Sequence, residues 1–152
     1  MVFLQKNKPL AVIFIILTVA VMVMIFMFSA DSAEESEALS QSLLDMLVDF
    51  IGQFISHNTL RKIAHFTEFA ALGFFLTGSV FYVSGRKSFP LPFLSGVLYA
   101  VSDEIHQHFV PERACRFFDM FIDSCGVATG IGIFMILILI IKKICDKNRL
   151  AD

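Results

Sequence analysis

The chain has 152 residues, 57% of them hydrophobic and only 17% charged, with a mean hydropathy of +0.75. Soluble domains carry about 25% charged and about 45–50% apolar residues, so this composition excludes an ordinary soluble domain and describes a membrane protein short enough to be one domain over 1–152. A formal net charge of −2 without a basic tract gives no support to disordered, collagen-like or nucleic-acid-binding classes, and Cys115, Cys125 and Cys145 are too few and scattered for a disulfide framework or a C-x-x-C pair.

The first predicted span, 9–29, is a charge-free apolar run that meets the roughly 20 residues needed to cross the hydrocarbon core. Ser29-Ala30-Asp31-Ser32-Ala33 offers small residues suited to signal-peptide cleavage, but the run is longer than a signal h-region and reads as an uncleaved anchor. The connection that follows opens with acidic Asp31, Glu34, Glu35 and Glu37. From Ser42 to Ile55, Leu43, Leu47, Phe50, Ile51, Phe54 and Ile55 recur at helical spacing opposite Asp45 and Asp49, which predicts an amphipathic helix. Its polar face is acidic, so attraction to anionic lipid is not its purpose.

The second span, 63–83, contains His65 and Glu68, and the third, 91–109, contains Asp103, Glu104, His106, Gln107 and His108. The fourth, 119–141, ends in Lys142-Lys143 at a membrane surface. The predicted fold is therefore all-α: an integral membrane bundle of four transmembrane helices, with an extracytoplasmic amphipathic helix between the first and second. Short cytoplasmic loops hold the excess of Lys and Arg. Lys6, Lys8, Arg86, Lys87, Lys142, Lys143, Lys147 and Arg149 lie on one side, against Arg61, Lys62, Arg113 and Arg116 on the other. Both termini are expected to be cytoplasmic.

With that orientation, the charges of three spans gather at the outer end. At 100° per residue, Arg61, His65, Glu68 and Leu72 form one stripe. Gly96, Tyr99, Asp103 and Gln107 form a second, flanked by Glu104 and His106, and Asp119, Asp123, Gly126 and Gly130 a third. A charged side chain deep in a membrane helix costs about 2.5–3.5 kcal/mol on insertion scales, so Glu68, Asp103, Glu104, Asp119 and Asp123 imply a polar, outward-opening cleft. Their repulsion is answered by nearby arginine and lysine, by protonation, or by a bound cation; pairing of Arg113 or Arg116 with a carboxylate is the simplest answer for part of the cluster.

Several of these features have plain readings. Gly126-x-x-x-Gly130, followed by Gly132, has the spacing of close helix packing. His65 and Glu68 share a face, and with Asp103 or Asp119 they supply the residue types of a divalent-cation site, although a hydrogen-bonded His–Glu pair between helices is simpler. His106 and His108 do not share a face and suit an interface. Cys125 reads as a small core residue and Cys115 as unpaired; Phe74-Phe75 and Phe117-Phe118 read as packing or lipid-facing residues. No cofactor follows from any motif.

The series Arg61-Lys62-Ile-Ala-His65-Phe66-x-Glu68-Phe69, then Ser102-Asp103-Glu104-Ile-His106-Gln107-x-Phe109-Val-Pro111-x-Arg113, then Asp119-x-x-x-Asp123-x-x-Gly126-x-x-x-Gly130 resembles the VanZ-like membrane proteins, a family named for a teicoplanin-resistance protein. The resemblance covers about 61–132. Asp123 stands where the family pattern usually has Asn, and Glu112 where it commonly has Gly, so the cleft is more acidic than the pattern. The resemblance implies a multi-pass protein of the bacterial envelope and, for the founding member, lowered susceptibility to a lipidated glycopeptide.

The leading expectation is a non-transporting protein whose outer cleft binds or alters a membrane lipid or lipid-linked cell-wall precursor. Arg61, Lys62, Arg113 and Arg116 would hold anionic groups, and His65, Glu68, Asp103 and Glu104 would contact sugar or peptide groups or move protons; Gln107, Asp119 and Asp123 complete the set. A membrane hydrolase or transferase is the rival, with His65 or Glu68 as base and Asp103 and Glu104 as acid or metal ligands. The chain has no recognised nucleophile motif and no multi-His pattern. A cation- or proton-coupled transporter is the third alternative; charge confined to one end argues against it unless the protein forms a homo-oligomer.

Overall fold

The protein, seen as a computed structural model, is described over residues 6–30, 57–111 and 116–149. These form four helices: α1 (Lys8–Ala30), α2 (His57–Ser84), α3 (Pro90–His108) and α4 (Phe117–Arg149). No strand occurs among the described residues. The predicted amphipathic helix at Ser42–Ile55, together with Glu112, Arg113 and Cys115, lies outside them.

Local chemistry marks the helix ends. Asn7 caps α1 by accepting the Leu10 N–H on Oδ1 at 3.2 Å, one residue before the helix begins. Gly85, at φ +71°, closes α2 in the left-handed conformation and donates its N–H to Phe81 O at 2.8 Å. Pro90 and Pro92 open α3, where the first-turn N–H groups have no helical partner to lose. The helices overrun the predicted spans: α2 starts at His57 rather than 63, and α4 continues to Arg149 rather than 141. Hydropathy marks where a helix leaves the hydrocarbon, and backbone hydrogen bonding continues into polar sequence.

Of the four expected spans, three helices are long and apolar enough to cross a membrane: Lys8–Ala30, Thr59–Ser84 and Phe117–Asn148. At 19 residues α3 is long enough, but two prolines and the run from Ser102 to His108 make it more polar than the others.

The chain alternates direction, so α2 and α4 run parallel to each other and opposite to α1 and α3. The closest pair is α2 with α4, in a steady register that sets Phe66 by Gly126, Ala70 by Gly130 and Phe74 by Phe134. A methyl group on Gly126 would meet the Phe66 carbonyl, one on Gly130 the Ala70 carbonyl, and one on Gly73 the Val127 carbonyl. The glycine spacing thus lets two backbones touch. Ile25, Phe69, Leu72, Ala100, Val127 and Ile131 form the buried centre. Toward Lys6 and Gly85, Phe14, Phe74, Phe81, Tyr82 and Phe134 interlock, several of them edge to face. Phe14 owes its seat to Gly78, since a side chain there would occupy the ring's space. Buried hydroxyls are satisfied inside the bundle: Thr18 donates to Phe14 O at 2.8 Å and lies 3.1 Å from Ser79 Oγ on α2. Cys125 and Cys145 are free thiols, half-buried and exposed respectively.

Candidate functional site

The up-down arrangement brings the C-terminal ends of α1 and α3 to the N-terminal ends of α2 and α4. Polar residues scattered over about a hundred positions meet there. Asp103, Glu104 and Gln107 on α3 and Asp123 on α4 are all buried, Asp123 and Glu104 to within 1% of full burial. Arg61, Lys62, His65, Glu104, Gln107, Asp119, Ile122 and Asp123 line a cleft of about 260 Å³, open solvent at its mouth included.

Each carboxylate has a different environment. Asp103 Oδ2 accepts two hydrogen bonds, from Ser29 Oγ at 3.0 Å and from Gln107 Nε2 at 2.8 Å, and Gln107 Nε2 also reaches Ser29 Oγ at 3.1 Å. The residues at i and i+4 on α3 therefore clamp onto one hydroxyl of α1. Glu104 points to the other side of α3, where its Oε2 accepts the Arg116 backbone N–H at 2.9 Å and anchors the start of α4. Lys62 Nζ lies 3.9 Å from Asp119 Oδ1 and 4.6 Å above the Phe118 ring. His65 Nδ1 lies 4.0 Å from Asp123 Oδ1. Both oxygens of Asp123 and Oε2 of Glu68 are buried without a hydrogen-bond partner among the described residues.

These placements sort the residues singled out in the sequence. Arg61, Lys62, His65, Glu104, Gln107, Asp119 and Asp123 share the cleft wall. Asp103 stands just behind it, with a ligand-capable atom within 4.8 Å of those of His65 and Asp123. Glu68 is half-buried and outside the lining; among the described residues the ligand atoms that lie together are those of His65, Asp103 and Asp123, which share His65 and Asp103 with the expected set of His65 and Glu68 with Asp103 or Asp119. Arg116 joins through its backbone and is itself exposed. Arg113 lies outside the described residues. His106 packs against Phe26 of α1 with ring centroids 4.4 Å apart and the rings tilted by 34°, and His108 is exposed.

Sequence reasoning missed Ser29, which it read as the last residue of the first span and the first of several small residues suited to cleavage. A signal existed: Thr18 and Ser29 are the only hydroxyls of α1, and eleven residues at 100° bring them within about 20° of one another on the helix. That face is buried, at Ala11, Thr18, Ile25 and Ser29. Tyr99 adds a further tie, donating its OH to Met22 O of α1 at 2.6 Å.

Chemically, the arrangement offers buried acceptors beneath a rim that carries Arg61 and Lys62, with one imidazole between them. No curated protein and no solved structure matches the chain significantly. A family model described as VanZ/LLP1 matches residues 14–139, which takes in α2, α3, most of α1 and α4 as far as 139, and the chain belongs to the VanZ/LLP1 family.

Proposed function

We propose that this protein is a multi-pass protein of the bacterial cytoplasmic membrane with both termini cytoplasmic, whose outward-facing cleft binds the anionic head of a lipid-linked cell-wall or surface ligand. The observation that carries this reading is the cleft itself. Arg61 and Lys62 stand at a wall whose deeper members are buried hydrogen-bond acceptors, at one end of a bundle with a lipid-compatible exterior. A headgroup with a phosphate and several hydroxyl or amide groups matches that order of donors and acceptors.

In this reading α3 also crosses the membrane, as the third of four spans. Leu91, Leu94, Leu98 and Ile105 form an exposed apolar stripe opposite its buried residues Gly96, Ala100, Asp103 and Gln107, as a helix with one lipid-facing side requires. The excess of Lys and Arg at the opposite end supports the orientation. Lowered susceptibility to teicoplanin-type glycopeptides, which family membership brings into view, would follow from occupying or altering the surface ligand that such a drug meets.

The test uses the full chain in nanodiscs, with a polyprenyl phosphate as probe and phosphatidylcholine as the zwitterionic control. Native mass spectrometry should show retained polyprenyl phosphate, and an Arg61→Gln/Lys62→Gln double variant should retain about tenfold less. Equal retention by parent and double variant would overturn the reading. A C-terminal reporter that is active outside the cell would overturn the orientation.

A second reading, an acid/base or metal-dependent lipid hydrolase or transferase, is favoured by the placement of His65 beside Asp123 at the cleft wall. Release of inorganic phosphate or a free headgroup from the same probe, lost on His65→Gln, would replace binding with turnover.

A further inference from the structure

We infer that His65, Asp103 and Asp123 form a binding site for one divalent transition-metal cation beside the cleft. The three residues come from α2, α3 and α4 and offer ligand atoms that lie within 4.8 Å of one another. Ligands at about 2.0–2.2 Å around a tetrahedral ion sit about 3.4 Å apart, so side-chain rotations that close the group by at most about 1.4 Å complete the site.

Asp123 supplies an independent pointer to a ligand. It is 1% exposed, it lines the cleft, and neither of its carboxylate oxygens has a hydrogen-bond partner among the described residues. Buried carboxylates that lack hydrogen bonds are rare, because desolvation leaves their charge uncompensated. The His65 nitrogen, 4.0 Å away, is too far for a hydrogen bond and well placed to share a third atom between them.

The surroundings fit. Ser29 and Gln107 both donate to Oδ2 of Asp103 and fix that carboxylate in the way outer-shell donors hold metal ligands. Two carboxylates balance a divalent ion. Glu104 and Asp119 deepen the local negative potential, and among the described cleft residues only Arg61 and Lys62 carry fixed positive charge. One imidazole with two carboxylates selects a first-row ion such as Zn²⁺ or Mn²⁺ over Mg²⁺ and Ca²⁺, which prefer all-oxygen sets. Three protein ligands leave coordination positions open toward the cleft, where water or an anionic group completes the shell.

This site stands on its own geometry whether or not the headgroup reading holds, so metal is measured without added lipid. The full chain, purified in detergent and stripped with chelator, is titrated with Zn²⁺ and with Mn²⁺ and followed by native mass spectrometry and thermal unfolding. One equivalent per chain is expected, with a higher unfolding temperature in its presence. Asp123→Asn and His65→Gln should each weaken binding at least tenfold and abolish the thermal shift. Asp146→Asn, an exposed carboxylate elsewhere on α4, should leave both unchanged. Asp123→Asn is nearly isosteric and removes a buried charge, and its cooperative unfolding in chelator verifies that it folds. Absence of stoichiometric metal on the parent, or parent-like binding by a folded Asp123→Asn, would overturn the site.

Discussion

The two ends of the bundle fill the space between the same four helices by opposite means. Near Lys6 and Gly85, Phe14, Phe74, Phe81, Tyr82 and Phe134 interlock, and nearby hydroxyls such as Thr18 and Ser84 turn back onto their own helices. At the other end, Asp103, Glu104, Gln107 and Asp123 are buried, Glu104 and Asp123 as deeply as Phe134, yet Asp123 makes no hydrogen bond among the described residues. Ring packing is rewarded by dispersion in the folded chain alone. Carboxylates in the same setting carry a desolvation cost that hydrogen bonds must offset, which separates a region that holds the fold from the one proposed to bind. Between the two lies the glycine-lined contact of α2 with α4, which keeps the polar end in place.

That contrast can be broken in steps. Gly130→Leu should be the most damaging change, since its side chain must displace the Ala70 backbone; a loss of more than about 4 kcal/mol, seen as failure to purify as a monodisperse species, is expected. Phe134→Ala removes the ring that touches Phe74, Phe81 and Tyr82 and should cost about 3 kcal/mol in detergent unfolding, at the low end for such truncations because lipid rather than water fills around the helix.

Asp123→Asn should act in the opposite direction. In chelator it should stabilise the protein by about 1–2 kcal/mol, because it replaces a buried carboxylate that lacks hydrogen-bond donors among the described residues with a neutral amide. A destabilisation of that size would mean that the polar end holds the fold just as the aromatic end does. Ser29→Ala, which deprives Asp103 and Gln107 of their shared partner, should cost about 1 kcal/mol and loosen α1 from α3, measurable as faster hydrogen exchange at the end of α1. Gly132→Ala should change least, with a gain of at most about 1 kcal/mol from helix propensity, because open space surrounds that position. A large loss there would show that the face of α4 at Gly132 is packed rather than open.

Much of this was legible in the sequence. Apolar runs located α1, α2 and α4, and the 3.6-residue period aligned Asp103 with Gln107 and Asp119 with Asp123, because a helix fixes which of its own residues share a face. Gly126 and Gly130 likewise announced a close contact. Hydropathy bounded the apolar spans and not the helices, which run on through polar turns at the start of α2 and the end of α4. The partner across each gap was less accessible. Glu68 was as good a companion for His65 as Asp123 by spacing, and only the parallel register of α2 and α4 sets Asp123 beside His65.

Composition and periodicity therefore determined on their own that this is a helical membrane protein with charge gathered at one end, because hydrophobicity and helical pitch are properties of a single segment. Tertiary structure decided which charges meet. It brought Ser29 of α1 to Asp103, gave Arg116 a backbone role at Glu104, and left Asp123 buried without a donor among the described residues. Those facts depend on the rotation and register of one helix against another, which side-chain volume and the near-contact of glycine backbones set across the whole bundle.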